Sequence, residues 1–107
     1  MSARFYITGR IGGMKRFGTT MQIDVASDRR VKQDEAWETV TDWNRVTLFA
    51  GKAEYAEKHL AKGDLIEARG RIGRGSFERD GETVYTVDCV VEDIERLMRA
   101  ESNRDTV

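Results

Sequence analysis

At 107 residues the chain is long enough for one domain with its own core and too short for two. Charged residues make up 35% and the net charge is −1, which favours a soluble globular class and argues weakly against a nucleic-acid partner unless the basic residues are gathered locally. No apolar run approaches the ~20 residues that span a bilayer, and Met1-Ser2-Ala3-Arg4-Phe5 lacks the apolar region of a signal peptide, so a cytoplasmic protein with no membrane partner is expected.

The first predicted strand is Arg4 to Ile11, with Phe5 and Ile7 on one face and Tyr6 and Thr8 on the other. Gly9, Gly12 and Gly13 follow in the positions of a bulge or sharp bend. Lys15 to Gly18 reads as the hairpin turn. The second strand is Thr19 to Ser27, in which Met21, Ile23 and Val25 alternate with Thr20, Gln22 and Asp24 in a half-buried pattern. Asp28 to Thr39 is charged and irregular and reads as a loop whose apolar oddity is Trp37.

The third strand runs from Val40 to Ala50. Val46, Leu48 and Ala50 occupy one face; Trp43, Arg45, Thr47 and Phe49 occupy the other. Ala53 to Leu60 carries apolar residues at helical spacing, and Gly63 sits past its last turn. The fourth strand, Leu65 to Ile72, sets Ile66, Ala68 and Ile72 against Glu67, Arg69 and Arg71. Phe77 to Arg79 and Thr83 to Ile94 form a hairpin closed by Asp80-Gly81. Three strands, one short helix, then further strands predict an all-β, five-stranded barrel with the helix between strands 3 and 4, the wiring of the oligonucleotide/oligosaccharide-binding (OB) fold. The domain is expected over residues 1–98, followed by a polar tail over 99–107.

Several chemistries find no support. Cys89 is the single cysteine and lies in the apolar run Val87 to Val91, so it reads as a small core residue and no intrachain disulfide is possible. His59 is also alone, so neither a zinc site nor a Ser-His-Asp set is expected. The glycines near residue 12 lack the helix and the Lys-Ser/Thr pair of a phosphate loop. No catalytic site, metal or cofactor is expected.

Function concentrates on the third strand. Val46 and Leu48 need the core, so Trp43, Arg45 and Phe49 point away from it. Flat aromatic faces stack unpaired bases, and guanidinium groups hold phosphates. The competing structural reading packs Trp43 and Phe49 under a loop or in a subunit interface. Phe77, in the basic hairpin Arg74-Gly75-Ser76-Phe77-Glu78-Arg79, extends the candidate face; Tyr85 reads as a core or cross-strand residue. Arg10, Lys15, Arg16, Arg45, Arg71 and Arg74 are the candidate phosphate guides.

The segment Asp42-Trp43-Asn44-Arg45-Val46-Thr47-Leu48-Phe49-Ala50-Gly51-Lys52-Ala53-Glu54 resembles the Glu-Trp-His-Arg-Val-Val-Leu-Phe-Gly-Lys-Leu-Ala-Glu run of the bacterial single-stranded DNA-binding protein family. The likeness extends through Tyr55 to Gly63, Gly70-Arg71-Ile72, Thr83 to Val87, and the opening Ile7-Thr8-Gly9-Arg10-Ile11-Gly12, covering roughly residues 5 to 97. The resemblance implies an OB fold and a single-stranded DNA partner in replication, recombination or repair. It also implies assembly as a homotetramer, with a dimer as the minimum. Its stacking aromatics carry over to Trp43 and Phe49, and Phe77 stands where the family typically has Trp. Four departures accompany it. A family Trp just after the second strand has no counterpart near Arg29 to Val31, Asn44 replaces a His often linked to subunit contacts, and the first hairpin turn is shorter. The family's acidic tip closing in Pro-Phe has no counterpart before Val107, so recruitment of other enzymes through such a tail is not expected. The alternative expectation is an OB-fold protein-interaction subunit of a replication or conjugation complex that binds DNA weakly.

Overall fold

A computed structural model describes residues 2–100 of the chain. It contains five strands and one helix: β1 (Arg4–Phe17), β2 (Thr20–Gln33), β3 (Ala36–Phe49), α1 (Ala50–His59), β4 (Leu65–Arg79) and β5 (Glu82–Met98). The strands close into a barrel in the order β1-β2-β3-β5-β4. This closure, with the helix between β3 and β4, is the OB architecture that the element order predicts.

One strand does the work of two in closing the barrel. The first half of β1, Arg4 to Arg10, pairs with β4, and the second half, Arg10 to Phe17, pairs with β2. The change of partner requires a bend, and the glycines supply it. The register slips between Ile11 and Gly13, which leaves Gly12 as the extra residue of a β-bulge. The strand therefore runs to Phe17 and does not end at Ile11. The turn is Gly18-Thr19, tighter than the expected Lys15 to Gly18, with Gly18 at φ +57°.

The expected loop over Asp28 to Thr39 is instead a hairpin arm. β2 and β3 stay paired without a slip from Thr20–Phe49 out to Gln33–Ala36. The arm turns at Asp34-Glu35, both with positive φ (51° and 67°), as a two-residue turn between right-twisted strands demands. The arm projects past the barrel, so neither of its faces meets a core, and the alternation that marks a half-buried strand is missing from its sequence. β4 and β5 form a second arm that runs on past Ile72 to Arg79 and turns at Asp80-Gly81.

The interior holds Ile11, Met21, Ile23, Val25, Val46, Leu48, Ile66, Ala68 and Val91, with Phe5, Ile7, Met14, Cys89 and Ile94 packed against them. The helix plugs one end with Ala53, Ala56 and Leu60. It starts at Ala50, three residues before the expected Ala53, directly after extended Phe49, and its first amide donates to the Thr19 carbonyl (2.9 Å). Burial pushes the Cys89 thiol up, with the Asp88 carboxylate adding to the shift, which suits an inert packing residue.

Asp64 ties the chain together below the helix. The residue is 1% exposed, and its side chain accepts the amides of Ala61 (3.0 Å) and Ala100 (2.8 Å), with the Arg96 guanidinium 3.7 Å away. Ala100 is buried in consequence, so the packed chain continues two residues beyond the expected boundary at 98. The rest of the expected tail, 101–107, lies outside the described residues. Among the described residues no helix is long and apolar enough to cross a membrane.

Candidate nucleic-acid interface

Strand register fixes which side chains share the barrel's outer surface. On β2 and β3 the pairs Thr20–Phe49, Gln22–Thr47, Asp24–Arg45 and Ala26–Trp43 point outward, because the alternate pairs Met21–Leu48, Ile23–Val46 and Val25–Asn44 carry the core residues of β2. The bulge at Gly12 reverses the phase of β1. Before it, Tyr6, Thr8 and Arg10 face out; after it, Gly13, Lys15 and Phe17 do, opposite Asp24, Gln22 and Thr20. On the other flank Thr47 pairs with Val90, and Val90 with Arg71. One row of outward residues therefore crosses the five strands: Lys15, Gln22, Thr47, Val90, Arg71.

Aromatic side chains stand on both sides of this row. Trp43 is 61% exposed and Phe49 48% exposed. The Trp43 indole is supported from below by the bulge: a Cβ at Gly12 would sit 2.3 Å from its ring, so only glycine lets the ring lie there. Arg45, between the two aromatics, donates from Nε to Asp24 (2.9 Å). Shallow grooves follow the same surface. One is lined by Asp24, Trp43, Asn44 and Arg45, a second by Gly13, Met14, Lys15, Gln22, Asp24 and Arg45, and a third reaches β5 at Thr86 and Asp88. Phe77 shares this side of the β4–β5 arm, since no slip separates it from Arg71, and Arg79 lies 5.5 Å over its ring.

The register thus sets Trp43, Arg45, Phe49, Lys15, Arg71 and Phe77 at outward positions along one continuous set of paired strands. Three other expected residues point elsewhere. Arg10 reaches the Gly63 carbonyl (2.9 Å) and the Met98 sulfur (4.0 Å). Arg16 is turned toward the helix, where it pairs with Glu57 and donates to the Gly18 carbonyl (2.9 Å). Arg74 lies on the reverse of the β4–β5 arm, 4.8 Å over the exposed ring of Tyr85.

Two aromatics escaped the sequence reading. Phe17 is half exposed beside Phe49 across Thr20, with the Lys15 ammonium 5.0 Å from its ring. Its signal was the glycine bulge, which resets the alternation of β1. Trp37 lies six residues before Trp43 on the same face of the unbroken β3, 58% exposed, with Arg30 5.6 Å over its ring and Lys32 directly opposite. Six residues of strand place the two Trp side chains about 20 Å apart. Among the described residues no group of His, Cys, Asp and Glu is placed to hold a metal ion.

Such a surface offers flat apolar rings for bases and interleaved cations for a phosphate backbone. Residues 3–97 match the model of the single-strand binding protein family. A single-stranded DNA-binding protein 1 from Xylella fastidiosa is 28% identical over 87 residues, covering 78% of this chain and 64% of its own. A single-stranded DNA-binding protein from Staphylococcus epidermidis is 28% identical over 82 residues, covering 77% and 62%. The chain thus spans somewhat less than two thirds of the length of these curated relatives. Among solved structures, a Plasmodium falciparum SSB in complex with ssDNA has a TM-score of 0.73 at 15% identity, covering 89% of this chain and 94% of its own. A small single-stranded DNA-binding protein from Streptomyces coelicolor has a TM-score of 0.64 at 19% identity, covering 90% and 94%. At these identities the structural likeness is one of fold.

Proposed function

Because the chain belongs to the single-strand binding protein family, we propose that its outer barrel face binds single-stranded DNA without catalysis and largely without regard to sequence. The observation that carries this reading is the in-register face of exposed aromatics and cations: Trp43 and Phe49 flanking Arg45, with Lys15 and Arg71 at either end of the row that crosses the strands. Bases stack on Trp43 and Phe49, and on Phe77 where the β4–β5 arm overhangs. Arg45, Lys15 and Arg71 hold the phosphates between them. Trp37 with Arg30 and Lys32 adds a station at the tip of the β2–β3 arm. The protein acts on exposed strands in the cytoplasm during replication, recombination or repair, as a homo-oligomer of two or four copies.

Titration of intrinsic fluorescence with oligo-dT tests the assignment. Stacking on Trp43 quenches its emission, and Trp37→Phe leaves Trp43 as the reporter among the two tryptophans. Trp43→Ala is expected to cost about 1–3 kcal/mol of affinity. A folded Trp43→Ala protein with wild-type affinity would overturn the assignment.

A further inference from the structure

The phosphate-binding face carries a carboxylate in its middle. Asp24 projects from β2 between the Gly13 backbone on β1 and Arg45 on β3, and its Oδ1 accepts the Arg45 Nε hydrogen at 2.9 Å. It lines both the groove at Trp43 and the groove at Lys15. A strand that stacks on Trp43 and continues toward Lys15 must cross the Asp24–Arg45 pair. Both partners are about half exposed (45% and 61%), so the pair is reachable from solvent and held by little besides its own attraction.

We propose that Asp24 is an internal phosphate surrogate: its carboxylate occupies the seat on Arg45 that a DNA phosphate takes, and so limits the affinity of the face. This inference rests on the single-stranded DNA reading and deepens it. A carboxylate and a phosphate oxygen make the same charge-assisted bond to a guanidinium. Binding at this point is therefore an exchange of one anion for another. Arg45 gives up a partner as it gains one, fewer counterions are released than its charge alone implies, and the displaced carboxylate stays beside the incoming phosphate. Release is eased by the same contact, because Asp24 takes the guanidinium back as the strand leaves.

Asp24→Asn separates charge from shape, since the amide oxygen can still accept the Arg45 hydrogen. Binding of fluorescent oligo-dT is measured by anisotropy at several salt concentrations for the wild type, Asp24→Asn and Asp24→Ala. Asp24→Asn is expected to bind about three- to fivefold more tightly at low salt, the size of one screened charge contact. The gain should shrink as salt rises, so the variant shows the steeper dependence of affinity on salt. A wild type that binds while Asp24→Asn is unchanged or weaker overturns the surrogate role alone. Tightening by Asp24→Asn but equal loss by Asp24→Ala assigns the carbonyl oxygen a positioning role in addition to the charge effect. A folded wild type that does not bind oligo-dT at low salt overturns the DNA reading, and the inference with it.

Discussion

At the scale of single residues, the face depends as much on what is missing as on what is present. Trp43 lies flat because Gly12, the bulged residue of β1, has no Cβ to lift it. Gly12 has no positive φ, so alanine fits its backbone; the exposed indole, not the barrel, must yield. Gly12→Ala is therefore expected to weaken oligo-dT binding by about 1 kcal/mol, part of the Trp43→Ala loss, while urea unfolding changes by less than about 1 kcal/mol. The contrast is Gly70, whose added Cβ would sit 1.9 Å from the Val90 backbone carbonyl at a second bulge. Alanine there strains the sheet itself, and a loss of stability of at least about 1–3 kcal/mol is expected. Trp43, Arg45 and Phe49 were legible in the sequence because Val46 and Leu48 fix the phase of their strand. Phe17 was not, because one extra residue at Gly12 inverts the alternation, and the glycines at 9, 12 and 13 mark a bend without saying which of them is the extra residue.

At the scale of elements, the strands inside the barrel follow the sequence pattern and the arms beyond it do not. β2 alternates cleanly from Thr20 to Val25 while one of its faces meets the core. From Asp28 outward both faces meet water, and polar residues on both are as favourable as alternation. The arm is held by its ladder and by cross-strand pairs: Thr41 donates to Asp28 (2.7 Å), and Arg29 to Asp42 (2.7 Å). The position of Trp37 is unreadable without that ladder, since in a loop it has no face at all. Its station near the tip makes a length-dependent prediction. Trp37→Ala should leave the affinity for a short oligo-dT that covers only the Trp43 region unchanged. It should cost about 1–3 kcal/mol on an oligonucleotide long enough to reach both tryptophans. Anisotropy titrations over a ladder of oligonucleotide lengths measure this directly, and equal losses at all lengths would exclude a separate station.

At the scale of the whole molecule, β1 presents Tyr6 on the barrel exterior, hydrogen-bonded to Glu67, while the ion pairs Arg69–Glu67, Arg69–Asp93 and Arg4–Glu92 lie alongside. This ionic surface follows the β1–β4 seam of the barrel, where Tyr6 pairs with Arg69 and Arg4 with Arg71. Light scattering at micromolar concentration is expected to give two or four times the 12.2 kDa chain mass, and a monomer mass would confine DNA to one face of one barrel. The barrel's closure has a consequence of its own. Four of its five seams are antiparallel ladders, but β3 and β5 join in parallel through two residue pairs alone, Val46–Cys89 and Thr47–Val90. The cylinder is in effect a long folded ribbon fastened by a clasp, and the clasp lies beneath the groove that spans Arg45 and Asp88. Local opening concentrates where the fewest bonds must break. A strand laid across that groove bridges the clasp from outside, and by mass action whatever binds only the fastened form holds it shut. The weakest line of the scaffold lies beneath the path proposed for the DNA, so occupancy would rigidify the barrel where it is otherwise most free to breathe.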